Sequence, residues 1–532
     1  MISACTLGGT SAPTETLAGD QTLSFPLGQE IGDFDPAQVT SPADVDVLRN
    51  VFSGLYKFDN QLHEVPDLAT AFPEISADGL TYTFHLNTGA HFSNGDPITA
   101  DDVIYSWNRA AAKQGEYAAL FSPVRGYLAV AQGHATQMSG LTKADDHTVV
   151  TTLTAPAGYW LTEVGLWPFW LVDHKVVQAA GEDVWYTKPE TLIGSGPFRL
   201  TNHVVGQSLD FAPVSAWYGG STGALKRVHV DVQADPVAQV AGYESGLYSL
   251  IGYGRQSLSP ATAVRYTTDA KLKDQLRLVP AGLTYWVGFN MQSGPFAGDA
   301  GKAGRHAFAT AIDRKALVDA VCSAGTTCTE ATGGVLSKGL VGYLGDGADA
   351  NAGFDPAAAK KEYQAWDPNG SKVKGLAYTF DTNPFNQAVC TNLAAQWKQN
   401  LGVNIQCSSI DTQTFFNERD GRCAYAAFRQ SWSADYNNPQ DWFDYLFVTH
   451  GTSNGSCYSN PALDSLVATA DAQPVGLALS YYQAADHVLI SDVAYAALVY
   501  GVQQYLVRPY VKGVGGTALY DFYWTSARID QH

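Results

Sequence analysis

From Tyr285 to Tyr500 strand-like runs alternate with amphipathic helical ones, and this alternation constrains the fold more than any other feature of the sequence. The strand-like runs fall at 285–290, 375–380, 403–408 and 495–500. The helical runs fall at 302–320, 385–401, 412–419, 461–470 and 476–490. Such a pattern reads as α/β, a sheet whose faces are covered by the intervening helices. The first half is less regular. Strands are expected at 22–27, 81–86, 147–153, 208–211 and 227–232. After the Asp35-Pro36 turn comes a helix capped by Asp44, with Val47, Leu48, Val51, Phe52 and Leu55 on its apolar face. A second helix at 101–112 opens on Thr99 and Asp102, spaced as a capping box.

At 532 residues the chain has room for about three domains of ~150 residues. It holds 32 Lys and Arg against 51 Asp and Glu, a net charge of −19, which repels nucleic-acid phosphates. No run approaches the ~18 consecutive apolar residues of a membrane span. H-E-x-x-H, the P-loop and G-x-G-x-x-G do not occur. G-x-S-x-G occurs once, at 451–455, in polar Gly-rich surroundings that suit a loop rather than a nucleophile elbow. The 12 His show no metal-ligand spacing. No enzyme, cofactor or metal is expected.

The chain has seven cysteines. Ile2-Ser3-Ala4-Cys5 resembles the end of a bacterial lipobox, in which the Cys becomes the lipidated first residue. On that reading residues 1–20 are the lipobox remnant and a flexible tether. Cys322, Cys328, Cys390, Cys407, Cys423 and Cys457 make an even count, suited to three disulfides in an oxidising compartment. Sequence proximity favours 322 with 328, 390 with 407 and 423 with 457. Buried free thiols are the alternative.

Four segments together resemble a known family. The first runs Asp78-Gly79-Leu80-Thr81-Tyr82-Thr83-Phe84-His85-Leu86 and on through His91-Phe92-Ser93-Asn94-Gly95-Asp96-Pro97-Ile98-Thr99-Ala100-Asp101-Asp102. The second is Gly194-Ser195-Gly196-Pro197-Phe198. The third is Phe289-Asn290, Gly294-Pro295-Phe296 and Ala311-Ile312-Asp313-Arg314. The fourth is Trp432-Ser433-Ala434-Asp435-Tyr436-Asn437-Asn438-Pro439. The chain thus resembles the oligopeptide- and dipeptide-binding receptors of ABC importers, bacterial extracellular solute-binding protein family five.

The resemblance implies a two-lobe periplasmic-binding-protein fold of type II, cluster C, with an extra inserted domain. Residues 21–58, 190–284 and 496–532 then form lobe I, 59–189 the extra domain and 285–495 lobe II. A short peptide is enclosed between the lobes and delivered to a membrane permease. The protein is expected to be a monomer outside the cytoplasm, touching the membrane through its lipid anchor only.

In the oligopeptide branch an Asp in W-x-A-D-Y pairs with the peptide α-amino group; here it is Asp435, preceded by Trp432. The alternative is a turn Asp before Pro439. Arg429 and Arg419 coincide with arginines for the peptide C-terminal carboxylate, or are salt-bridge partners. Trp397 resembles a Trp that walls side-chain pockets, or is a core residue. Tyr117 falls where the branch has a ligand-contacting Tyr. Thr40, Ser41 and Pro42 align with a loop on the peptide backbone, and Tyr500 closes the other side. The branch's Cys two places before the Asp is Ser433 here, so its disulfide is absent. Related proteins take oligosaccharides, nickel complexes, opines or haem, which keeps another solute open as the alternative.

Overall fold

Two long strands, Leu276–Phe289 and Tyr495–Val507, organise the chain. The computed structural model describes residues 16–532. The two strands pair antiparallel from Leu276 opposite Leu506 to Gly288 opposite Tyr495, with register shifts between Pro280 and Thr284 and between Tyr285 and Trp286. They lie inside a seven-stranded sheet. Ala427–Ser433, Ala377–Asp381 and Gln406–Ile410 follow on one side, and Leu250–Ile251 and Cys328–Glu330 pair with Tyr495–Val507 on the other. Helices including Gly298–Thr310, Arg314–Val321 and Pro384–Asn400 pack Phe308, Leu317, Leu393 and Trp397 against this sheet.

A four-stranded sheet in the order Thr22–Leu27, Arg227–Val232, Ser208–Pro213, Phe198–Val204 joins the beginning of the chain to its middle. Another, in the order Glu74–Ile75, Thr81–His85, Thr148–Thr152, Leu141–Asp145, belongs to the 59–189 block. Its helix Ala100–Lys113 opens on the expected capping box, with the Thr99 N–H donating to Asp102 Oδ2 at 2.8 Å. Mixed α/β architecture with an added sheet is therefore what the chain adopts.

Local detail departs from expectation in several places. Asp44 does not cap the first helix, Pro42–Leu48. Ser41 stands at the N-cap, and Asp44 Oδ2 instead accepts the Gly32 N–H at 2.9 Å. The helix expected at 302–320 is two, because Asp313 accepts the Ala316 N–H at 2.9 Å and starts Arg314–Val321 afresh. The strands expected at 285–290 and 495–500 extend to Leu276 and Val507. The added half of the first is only part-buried and shows no alternating pattern.

The disulfides Cys322–Cys328, Cys390–Cys407 and Cys423–Cys457 form as proximity suggested. Cys5 and most of the expected tether lie outside the described residues. Residues 16–20 do not belong to a free tether. The Gln531 N–H donates to Thr16 O at 2.8 Å and the Ala18 N–H to Ile529 O at 2.9 Å, which ties this segment to the last strand. Among the described residues no helix is long and apolar enough to cross a membrane.

Candidate functional site

Strand Ala427–Ser433 ends beside the long strand, Ser433 opposite Leu283, and the Ala434 N–H then donates to Gly282 O at 2.7 Å. The chain next turns through Asn437–Pro439 into helix Gln440–Leu446. Asp441, in the first turn of that helix, reaches back. Its Oδ2 accepts the Asp435 N–H at 3.0 Å and the Trp432 Nε1–H at 3.2 Å. A fully buried carboxylate thus fixes the Trp432–Asp435 segment from behind. The Trp432 ring stacks on Tyr445, centroids 5.7 Å apart.

The Asp435 carboxylate faces a cavity of about 120 Å3, lined also by Thr40, Pro42, Tyr117, Trp167, Arg255 and Tyr520. Six separated stretches of chain meet there. The Tyr117 hydroxyl donates to Asp435 Oδ1 at 3.1 Å. The Tyr117 ring meets Trp167 edge-on at 4.6 Å, and Trp167 Nε1–H donates to Val39 O at 2.9 Å, next to Thr40. Aromatic packing and two hydrogen bonds therefore bring the 40–42 loop, Tyr117 and Asp435 onto one cavity. Ser41 belongs to that loop but does not line the cavity.

Burial pushes the Asp435 carboxyl up to about 6, with nearby Glu116 raising it further and Tyr117 and Arg255 opposing. Burial, reinforced by the Asp435 charge, also drives Asp441 well above the ordinary carboxylate range. Among the described residues no cation lies within ion-pair distance of Asp435. A carboxylate partly withdrawn from water with no cation at ion-pair distance is under-compensated. A primary ammonium entering the cavity supplies the missing charge and hydrogen bonds.

Arg429 and Arg419 gather elsewhere. Both guanidinium groups lie over Phe415 and Phe416, at 5.4 and 5.2 Å for Arg429 and 5.4 and 4.7 Å for Arg419. Each already holds a carboxylate. Arg429 Nε–H donates to Asp381 Oδ1, and Arg419 bonds both Asp420 oxygens at 2.6 and 2.8 Å. Arg419 Nη1 is buried with no hydrogen-bond partner.

Two expected ligand contacts are corrected. Trp397 is fully buried, and its Nε1–H donates to Phe308 O at 2.9 Å, so it is a core residue with no surface to offer a ligand. Tyr500 is also buried. Its hydroxyl donates to Gly334 O at 2.8 Å and accepts the Gly333 N–H at 2.9 Å, beside a separate hollow of about 530 Å3. Trp167, Arg255 and Tyr520 also line the cavity and belong to none of the sequence motifs. Only Arg255 carries a local sign, its place after Gly252-Tyr253-Gly254, a run that favours an unusual turn. Asp102, Asp173 and His174 cluster closely enough for a metal, but their atoms serve the capping box, a helix cap and a 2.7 Å His174–Asp102 contact.

The sequence profile of the bacterial extracellular solute-binding proteins, family 5 Middle, matches residues 64–454. The periplasmic murein peptide-binding protein MppA of Escherichia coli K12 is 26% identical over 517 residues, 93% of this chain and 91% of that protein. Among solved structures, the unliganded open form of MppA, a periplasmic murein tripeptide binding protein, superposes with a TM-score of 0.86 at 25% identity, covering 98% of this chain and 99% of that one. Haemophilus influenzae OppA in complex with the peptide RPPGFSPFR shares the fold, with a TM-score of 0.69 at 24% identity, covering 97% of this chain and 100% of that one.

Proposed function

Because this chain belongs to the bacterial extracellular solute-binding proteins of family 5, we propose that it captures short peptides between two lobes and delivers them to the permease of an ABC importer. One observation carries the reading. Asp435 is a part-buried carboxylate with no cation within ion-pair distance among the described residues, turned into a cavity where six parts of the chain meet. Every linear peptide with a free amino terminus presents an ammonium, whatever its side chains. A receptor for mixed peptides must hold that group and the main chain. Asp435 takes the ammonium, Tyr117 holds Asp435 in place, and the 40–42 loop contacts the peptide backbone. Side chains then project into hydrated space. Arg429 and Arg419 take a C-terminal carboxylate only by exchanging Asp381 and Asp420 for it.

The remaining assignments belong to the same proposal. Residues 21–58, 190–284 and 496–532 act as one lobe, 285–495 as the other and 59–189 as an outer domain. Cys5 bears the lipid that holds a monomeric protein at the extracytoplasmic face. The protein binds and releases its solute and does not transform it. Enclosure of a peptide between two lobes requires a cleft that closes on ligand.

A double-mutant cycle tests the site. Asp435→Ala is expected to weaken binding of a free peptide by roughly 2–5 kcal/mol, the cost of leaving one member of a desolvated charge pair alone. N-acetylation of the peptide loses a similar amount on the unaltered protein, and the two changes together do not add. Equal affinity of Asp435→Ala and unaltered protein for the free peptide makes Asp435 a turn residue and refutes the assignment.

A further inference from the structure

The cavity that holds Asp435 also holds a cation. Arg255 lines it, and among the described residues no carboxylate lies within ion-pair distance of its guanidinium. Its backbone is left-handed, with φ at 59°, a conformation that costs a non-glycine residue free energy unless its surroundings enforce it. Here they do. Gly252 is also left-handed, and a Cβ there would collide with the Gln504 carbonyl. The Gly254 N–H donates to Asp521 Oδ2 at 2.6 Å, and Gln256 Nε2–H donates to Pro26 O at 3.0 Å and Tyr253 O at 2.9 Å. The residues on both sides of Arg255 are pinned, and the strained residue between them carries its charge to the cavity wall.

We infer that Arg255 is the second charge of this subsite and takes a ligand carboxylate lying close to the ligand's amino terminus. The inference rests on the proposed peptide reading and deepens it. Asp435 and Arg255 stand on one small cavity without pairing with each other. Such a cavity suits a ligand end that is dipolar over a short distance, ammonium toward Asp435 and carboxylate toward Arg255. Arg429 and Arg419, by contrast, are occupied by Asp381 and Asp420. The ligand carboxylate comes either from an acidic side chain at the first or second residue or from the C-terminus of a dipeptide.

Arg255 also acts electrostatically on the buried Asp46 and Asp521 without pairing with either. Asp46 already accepts the Asp521 N–H at 2.8 Å, and Asp521 accepts from Tyr505, Gln503 and Gly254. If Arg255 serves only as a distant counter-charge to that pair, replacing it alters stability and leaves selectivity untouched.

Calorimetric titration of the unaltered protein, stripped of bound cargo, decides between these. The probes are Ala-Ala-Ala, Glu-Ala-Ala, Ala-Glu-Ala and Ala-Gln-Ala, with Ala-Ala and Ala-Ala-amide. We expect roughly 10- to 100-fold tighter binding of an acidic tripeptide than of its neutral counterpart, or of Ala-Ala than of its amide, the size of a charge-assisted hydrogen bond. The first result places the carboxylate on a side chain, the second at the terminus. In Arg255→Asn, chosen because Asn tolerates the left-handed backbone, the preference disappears while Ala-Ala-Ala still binds. If the variant does not fold, the peptide series on the unaltered protein still decides. Equal binding across both comparisons, or a preference that survives in a folded Arg255→Asn, overturns the role of Arg255 and leaves the peptide reading standing. Failure of every peptide to bind overturns both.

Discussion

At the scale of the residue, Asp435 is defined by what surrounds it. Tyr117 donates to it, Asp441 holds its backbone, and burial raises its carboxyl from 3.8 to about 6. In the unliganded protein this group stabilises the fold fully below about pH 3.8, and its contribution is lost as pH rises through about 6. An ammonium ligand prefers the ionised form, so its affinity moves the opposite way. At pH 5 about one molecule in ten carries an ionised Asp435, and peptide affinity should be about tenfold weaker than at pH 7. Titration at pH 5, 6 and 7 checks this; an affinity independent of pH contradicts it. The W-x-A-D-Y motif made Asp435 readable in the sequence. Arg255 was not, because its meeting with Asp435 depends on packing between residues 180 positions apart. Nor was the state of Arg429, whose partner Asp381 comes from the adjacent parallel strand. Trp397 shows the opposite difficulty, since a core Trp and a pocket Trp look alike on a helix until the sheet behind it is in place.

At the scale of the element, short-range rules fared best. The Thr99–Asp102 capping box and the strands Thr22–Leu27 and Arg227–Val232 are where local pattern put them. Elements that serve two parts of the molecule are longer than their sequence pattern implies. Half of Leu276–Phe289 is only part-buried, so no hydrophobic period marks it. The helix pattern at 302–320 likewise concealed a break that Asp313 makes by capping. The disulfides act at this scale. Cys423 ends helix Thr412–Arg422, and its bond to Cys457 closes a loop of 34 residues between that helix and the segment before Pro461–Asp471. Replacing both with Ser should cost about 3–4 kcal/mol in the loop-entropy picture, read by urea denaturation. Alkylation without reductant should leave all six of these cysteines unmodified by intact mass; six added labels exclude the bonds.

At the scale of the whole molecule, the two long strands would be what the proposed lobes share. They run through the expected boundaries near 284 and 496, and their register breaks between Pro280 and Thr284, opposite Val502 and Tyr500. A pair of strands crossing between lobes with an irregular register at the crossing suits a hinge. The two-lobe architecture was legible because several motifs of one family occur in order along one chain. Small-angle scattering on protein stripped of cargo, with and without a saturating short peptide, tests closure of the cleft. A smaller radius of gyration is expected with peptide bound. An unchanged radius at demonstrated saturation would contradict capture between closing lobes.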